Sequence, residues 1–164
     1  MPANEPVSWI PTDHSSHLMP ARELTRFKLG EERVDIRRWP VFTSDGRLVG
    51  AVDRLMVEAS SKKIRYISVA LIREAVNDYR SIVPGSVLVP IGLVRRLDDR
   101  EAIVIDALAS FQLAGAPRLR ARAVTRAEED ATLAAYGMPT SREIPAADFY
   151  KNQNFDEDRI SVAQ

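Results

Sequence analysis

VDIRRWPVFTSDGRLVGAVDRLMVEASSKKIRYISVAL, residues 34–71, has the grammar of successive antiparallel strands joined by tight polar turns. Ser44-Asp45-Gly46 marks one reversal, because Asp supports a local side-chain turn and Gly takes positive φ without a Cβ clash. Ser60-Ser61-Lys62 marks the next. Between them, Leu48 to Val57 is rich in apolar and branched residues and is interrupted once, at Asp53-Arg54. An interruption of that kind predicts a bulge, where a strand bends and changes faces. The stretch specifies a curled sheet and no chemistry.

Downstream, Ser86 to Gly92 supplies a short strand in which Pro90 belongs at an edge or bulge, since it has no backbone donor. Asp98-Asp99-Arg100-Glu101 reads as a charged hairpin tip leading into the strand Ala102 to Ile105. Five or six short strands with tight reversals predict a mainly β fold, a small antiparallel barrel spanning residues 33–110. Before it, residues 1–32 carry Pro2, Pro6, Pro11 and Pro20 and little strand pattern, so they are expected to form an extended arm. Ala21 to Leu29 is expected to hold at most one helical turn. Residues 111–140 are expected to cap the barrel end. There, Thr125 and Glu128 form a capping box for a short helix packed through Leu133 and Tyr136 and stopped by Gly137. Residues 141–164 read as a polar tail, docked or disordered.

The chain has 164 residues, long enough to bury one real core. With 23 basic and 23 acidic residues, it carries no general attraction for polyanions, and nucleic acid is not an expected partner. The absence of cysteine excludes disulfides, thiolate metal sites and cysteine nucleophiles. No Gly-rich phosphate loop and no converging nucleophile–base set is present, so an enzyme is not expected. The N-terminal residues lack a basic n-region and an apolar h-region. The longest apolar-looking run, Ile82 to Val94, is broken by Pro84, Gly85, Pro90 and Gly92, so no spanning helix is expected.

DIRRWPVFTSDGRLVGAVDRLMVE, IRYISVAL and VLVPIGLVRR together resemble the PRC-barrel, the small β-barrel shared by the photosynthetic reaction-centre H subunit and ribosome-maturation factors. The flanking runs IDALASFQLAGAPRL and VTRAEEDATLAAYG, with VSWI and the His14, His17 and Pro20 spacing upstream, are similar to the H subunit in particular. That resemblance implies a non-catalytic subunit capping the cytoplasmic face of the core L and M subunits, stabilising them and assisting proton delivery to the secondary quinone. It implies no cofactor held by this chain, with quinone and bacteriochlorophyll residing in the complex. The H subunit begins with a transmembrane helix and this sequence shows none, so a separate membrane-anchoring subunit is expected. The expected location is peripheral, on the cytoplasmic side of the bacterial inner membrane, in contact with it through partners. The alternatives are a stand-alone PRC-barrel adaptor or an RNA- or ribosome-assembly-linked binding module.

Five residues are the proton-transfer candidates. Asp13, His14 and His17 fall where the H subunit has an Asp and two His at its proton-entry surface, and imidazole titrates near neutrality. The spacing departs by one residue from the family's tighter His pair; as residues alone they read first as exposed side chains in a polar arm, and the resemblance brings the proton-transfer reading level with that one. Three such groups leave a metal short of ligands, so no metal is expected. Glu58 and Arg65 fall at acidic and basic positions of the H-subunit barrel near its proton network. They also fit an ordinary cross-hairpin ion pair. Ser61 stands where the family has a further acid, and it can relay a hydrogen bond without holding a charge. Partner-interface candidates are Trp9 and Ile10 in the arm, Arg37 and Arg38 before the first barrel strand, and Arg118 and Arg120 in a basic run that extends to Arg126. Trp39-Pro40 reads as a fold determinant.

Overall fold

The computed structural model describes residues 16–20, 35–72, 85–120 and 123–156. Eight strands form one mixed sheet: β1 (Ser16–Pro20), β2 (Pro40–Thr43), β3 (Leu48–Glu58), β4 (Ile64–Leu71), β5 (Ser86–Pro90), β6 (Val94–Leu97), β7 (Ala102–Ile105) and β8 (Val124–Thr125). The main order is β5-β4-β3-β2-β7-β6, antiparallel except for the parallel β2–β7 pair. The hydrogen-bonded ladder does not close. Its two outermost strands, β5 and β6, are instead consecutive in the chain and joined by a 3₁₀ turn, Ile91–Leu93. Pro90 sits at that corner, where its missing donor is not required.

The long β3 strand explains the architecture. Its register shifts between Val52 and Arg54, so the Asp53-Arg54 interruption is a bulge, as the sequence predicts. One edge of β3 pairs with β4 along its length. The other edge is shared, by β2 along residues 48–51 and by β1 along residues 56–58. Part of the region read as an arm is therefore a strand, contrary to the low sheet character expected of residues 1–32. Ser-His-Leu-Met-Pro has no β-branched residues, and a vacant stretch of sheet edge decides its conformation. β8 then pairs with β1, which carries the chain to the start of a helix.

Inward-facing residues such as Val41, Val52, Ile67, Val89 and Ile103 form the barrel core. A second cluster lies on the outer face of β3, β4 and β5. Met56, Tyr66 and Leu88 meet Leu133 of the helix and Phe149 and Phe155 of the C-terminal segment. Two α-helices are present among the described residues: α1 (Ser110–Ala114) and α2 (Arg126–Ala135). The capping box of α2 forms as expected, with the Glu128 N–H donating to Thr125 Oγ1 (3.3 Å) and the Thr125 N–H to Glu128 Oε1 (2.9 Å). Tyr136 closes the helix and donates its hydroxyl to the Leu88 carbonyl (2.6 Å), and Gly137 follows at φ 74°. Neither helix is long and apolar enough to cross a membrane.

The C-terminal region is more than a polar tail. Residues 141–156 lie against the barrel, with Phe149 and Phe155 buried and Tyr150 stacked edge-on against both. Three aromatic side chains supply the apolar area that a charged-looking sequence concealed.

Two polar details carry testable consequences. Asp45, in the β2–β3 turn, accepts from the Ser110 N–H (3.1 Å) and hydroxyl (2.6 Å), capping α1 from a distant loop. These bonds and one from Thr43 hold its carboxyl at about 2, below the ordinary 3.8. A depressed carboxylate stabilises the fold above its unfolded pKa and loses that contribution as pH falls through the folded one. Denaturant melts should therefore show stability declining between pH 3.8 and about 2. Asp45→Asn should flatten that part of the profile.

Arg96 faces inward on β6 in the row Val41–Ile103–Arg96 and is 2% exposed. Its Nη2 donates to Asp98 Oδ2 at 3.0 Å. Its Nε lies 2.6 Å from Oδ1 without a well-directed hydrogen bond, and Nη1 has no hydrogen-bond partner among the described residues. Asp98→Ala would leave a buried guanidinium without its counter-charge, which costs about 3 kcal/mol. Arg96→Met combined with Asp98→Ala should recover most of the loss in the same urea titration, because the isolated charge is gone.

Candidate functional site

Glu58 is the last residue of β3 and Arg65 the second of β4, so the hairpin brings them together. Lys62, at φ 63°, completes the tight reversal. Arg65 donates from Nε (3.0 Å) and Nη2 (2.7 Å) to Glu58 Oε1. The Ser61 hydroxyl donates to the same oxygen (2.7 Å), and Ser60 to Oε2 (3.2 Å). Ser61 thus fills the connecting-turn position named from sequence and acts through a hydrogen bond. The pair is largely enclosed, with side chains 12% and 19% exposed, so it is less screened than a surface bridge. Burial pushes the Glu58 carboxyl up. The donations from Ser61, Arg65 and Ser60 more than offset that and hold it below the usual range.

Glu58, Arg65 and Tyr150 line an open polar groove of about 690 Å³, with Lys63, Lys151 and Asn152 around it. The Arg65 guanidinium lies 4.4 Å from the centre of the Tyr150 ring. Beneath the groove, Tyr150 donates its hydroxyl to Glu129 Oε1 (2.6 Å), and Tyr66 donates to the same oxygen (2.8 Å). Arg126 approaches Glu129 Oε2 at 3.3 Å and stacks on Phe149, 3.8 Å from the ring centre. Glu129 is fully buried. Burial first, and then the Glu129 charge, pushes both tyrosine hydroxyls well above their ordinary value. Both therefore stay protonated at physiological pH and keep donating to Glu129.

The arrangement is a carboxylate–guanidinium pair on rigid strands at a groove floor, backed by a buried carboxylate under two tyrosines. It holds charge and orders hydrogen bonds. Among the described residues no group of three His, Cys, Asp or Glu side chains is placed to hold a metal.

Of the sequence candidates, Glu58 and Arg65 come together. His17 lies on β1 next to Leu18, whose register partner is Glu58, so the ladder brings its backbone beside the pair. Asp13, His14, Trp9 and Ile10 lie outside the described residues. Arg37 pairs with Asp35 (2.6 Å), and the exposed Arg38 sits at φ 77°. Arg118 donates to the carbonyls of Ala114 (3.0 Å) and Ala116 (2.5 Å) at the end of α1, while Arg120 is exposed. Arg126 is not part of an outward basic face, because its side chain is drawn under Phe149 and Glu129.

Sequence reasoning missed Glu129. It read Glu128-Glu129-Asp130 as the charged start of a helix. Yet Leu133 and Tyr136, the positions expected to pack, project back through Thr132 to Glu129 at spacings of three and four residues. That stripe was the available signal.

A family model, the PRC-barrel domain, matches residues 30–112. The match takes in β2 to β7 and the start of α1, hence Glu58, Arg65 and Tyr66, while β1, β8, α2 and Tyr150 lie outside it. With half of the chain matched, and the matched half folding as a curled six-strand path, the protein belongs to the PRC-barrel family.

Proposed function

We propose that this protein is a non-catalytic structural subunit that caps the cytoplasmic face of a photosynthetic reaction centre. In this reading it stabilises the L and M subunits and assists proton delivery to the secondary quinone. The observation that carries the reading is the β1–β3 ladder. It runs the backbone of His17 alongside Glu58, which lines an open polar groove together with its ion-pair partner Arg65. An imidazole titrating near neutrality, carried on the strand that pairs with the Glu58 strand, fits a role in proton exchange between bulk water and an interior chain. The similarity of both flanks to the H subunit supports the same reading. Quinone and bacteriochlorophyll belong to the partners.

The test is purification of the pigmented complex from native photosynthetic membranes, followed by peptide identification. The chain should be present at constant ratio to L and M; its absence from a homogeneous, active complex overturns the proposal. Replacing His14 and His17 together should slow the second proton-coupled electron transfer to quinone by about tenfold. An unchanged rate across pH would remove the proton role and leave only the structural one.

A further inference from the structure

The two halves of the sheet differ in how their outer faces are treated. Outside β3, β4 and β5, the residues Met56, Tyr66 and Leu88 are covered by α2 and the C-terminal aromatic segment. Outside β2, β7 and β6, no described residue performs that task. There the register aligns Leu48, Phe42 and Val104 in one row across three strands, ending at Arg95 on β6. Leu48 is 43% exposed, one of two large apolar side chains so open among the described residues. The other, Phe111 at 59%, lies on α1, which Asp45 ties to the turn just before Leu48. Next to the row is a hollow of about 380 Å³ walled by Pro40, Phe42, Leu97, Ala102 and Val104, with Arg100 at its rim. An apolar face of this kind marks an interaction site.

We propose that this face is a self-association surface, on which two copies of the chain meet about a two-fold axis. The charge pattern at its rim selects the occupant. The β6–β7 tip carries Asp99, Arg100 and Glu101 in succession, and none of the three has an ion-pair partner among the described residues. A two-fold contact brings each patch against its own copy, so a patch must be self-complementary. A cation flanked by two anions meets that requirement, since Arg100 of one copy reaches Asp99 or Glu101 of the other. The formal net charge of zero adds no long-range repulsion between copies. The inference does not rest on the reaction-centre reading.

Sedimentation velocity of the full chain over a concentration series tests it. The expected result is a reversible monomer–dimer equilibrium, with a dissociation constant on the order of 10 μM. Val104→Glu should weaken association at least about tenfold by burying a charge in the contact. Arg100→Glu should weaken it to a similar degree, and adding Glu101→Arg should restore it. Unchanged thermal melts for Val104→Glu and Arg100→Glu would show that the monomer fold is intact. A monomer at every concentration overturns the proposal. So does a dimer indifferent to both substitutions, or a face protected only by a different protein.

Discussion

Glu129→Ala is expected to destabilise the protein by about 3–5 kcal/mol, because it removes a buried acceptor on which several groups depend. Tyr66 and Tyr150 both donate to the lost oxygen, and Arg126 loses its carboxylate contact. Unfolded, the two tyrosine hydroxyls would be solvated by water; folded, they would lose their shared acceptor beneath the groove. In a protein of this size the change corresponds to a fall in Tm of roughly 10 °C. A double-mutant cycle gives the sharper measurement. Tyr66→Phe should cost about 1–2 kcal/mol in the native sequence and much less with Glu129→Ala already present. Equal costs in the two backgrounds would mean that the hydroxyl and carboxylate act independently.

Gly92→Ala should detach the C-terminal aromatic segment from the barrel. A Cβ at position 92 would stand 1.8 Å from the Gln153 carbonyl oxygen and 2.5 Å from the Asn154 carbonyl carbon. Both are backbone atoms, so no side-chain rotation relieves the clash. The 3₁₀ turn at residues 91–93 sits in the barrel corner, so the outer segment is the one that yields. Lifting it exposes Phe155 and loosens Phe149, each worth about 1.5–3 kcal/mol when fully buried. Hydrogen exchange should show the Phe155 amide, which donates to the Asn152 carbonyl at 3.0 Å, losing protection while the β3 and β4 amides keep theirs. Limited proteolysis should show new cleavage after Lys151. Native protection throughout the segment would show that the close approach is not required for docking.

The barrel was legible because its turns and apolar runs are local signals. Asp45-Gly46, the Asp53-Arg54 bulge, the Asp98–Glu101 tip and the Thr125–Glu128 cap each depend on neighbours in the chain. β1 was not legible, because its conformation is set by the edge that β2 leaves vacant on β3. The site divides in the same way. Glu58 and Arg65 belong to one hairpin and could be paired on paper. Glu129 gains its meaning only when α2, β4 and Tyr150 converge on it, from three places that no short-range pattern connects.

The parallel β2–β7 pair has a kinetic meaning as well. Antiparallel neighbours such as β3 and β4 zip up across a short hairpin, but Val41 meets Ile103 only after the intervening strands have been gathered. Loop-closure entropy must be overcome before that contact returns any energy, and chains rich in such contacts fold over milliseconds to seconds. The β2–β3–β4 meander would thus assemble early and β7 would dock late, carrying β6 with it. During that interval the β2 edge stands unpaired with the apolar Val41 and Phe42 beside it, which makes it the point at which a crowded, partly folded chain is most exposed to mispairing.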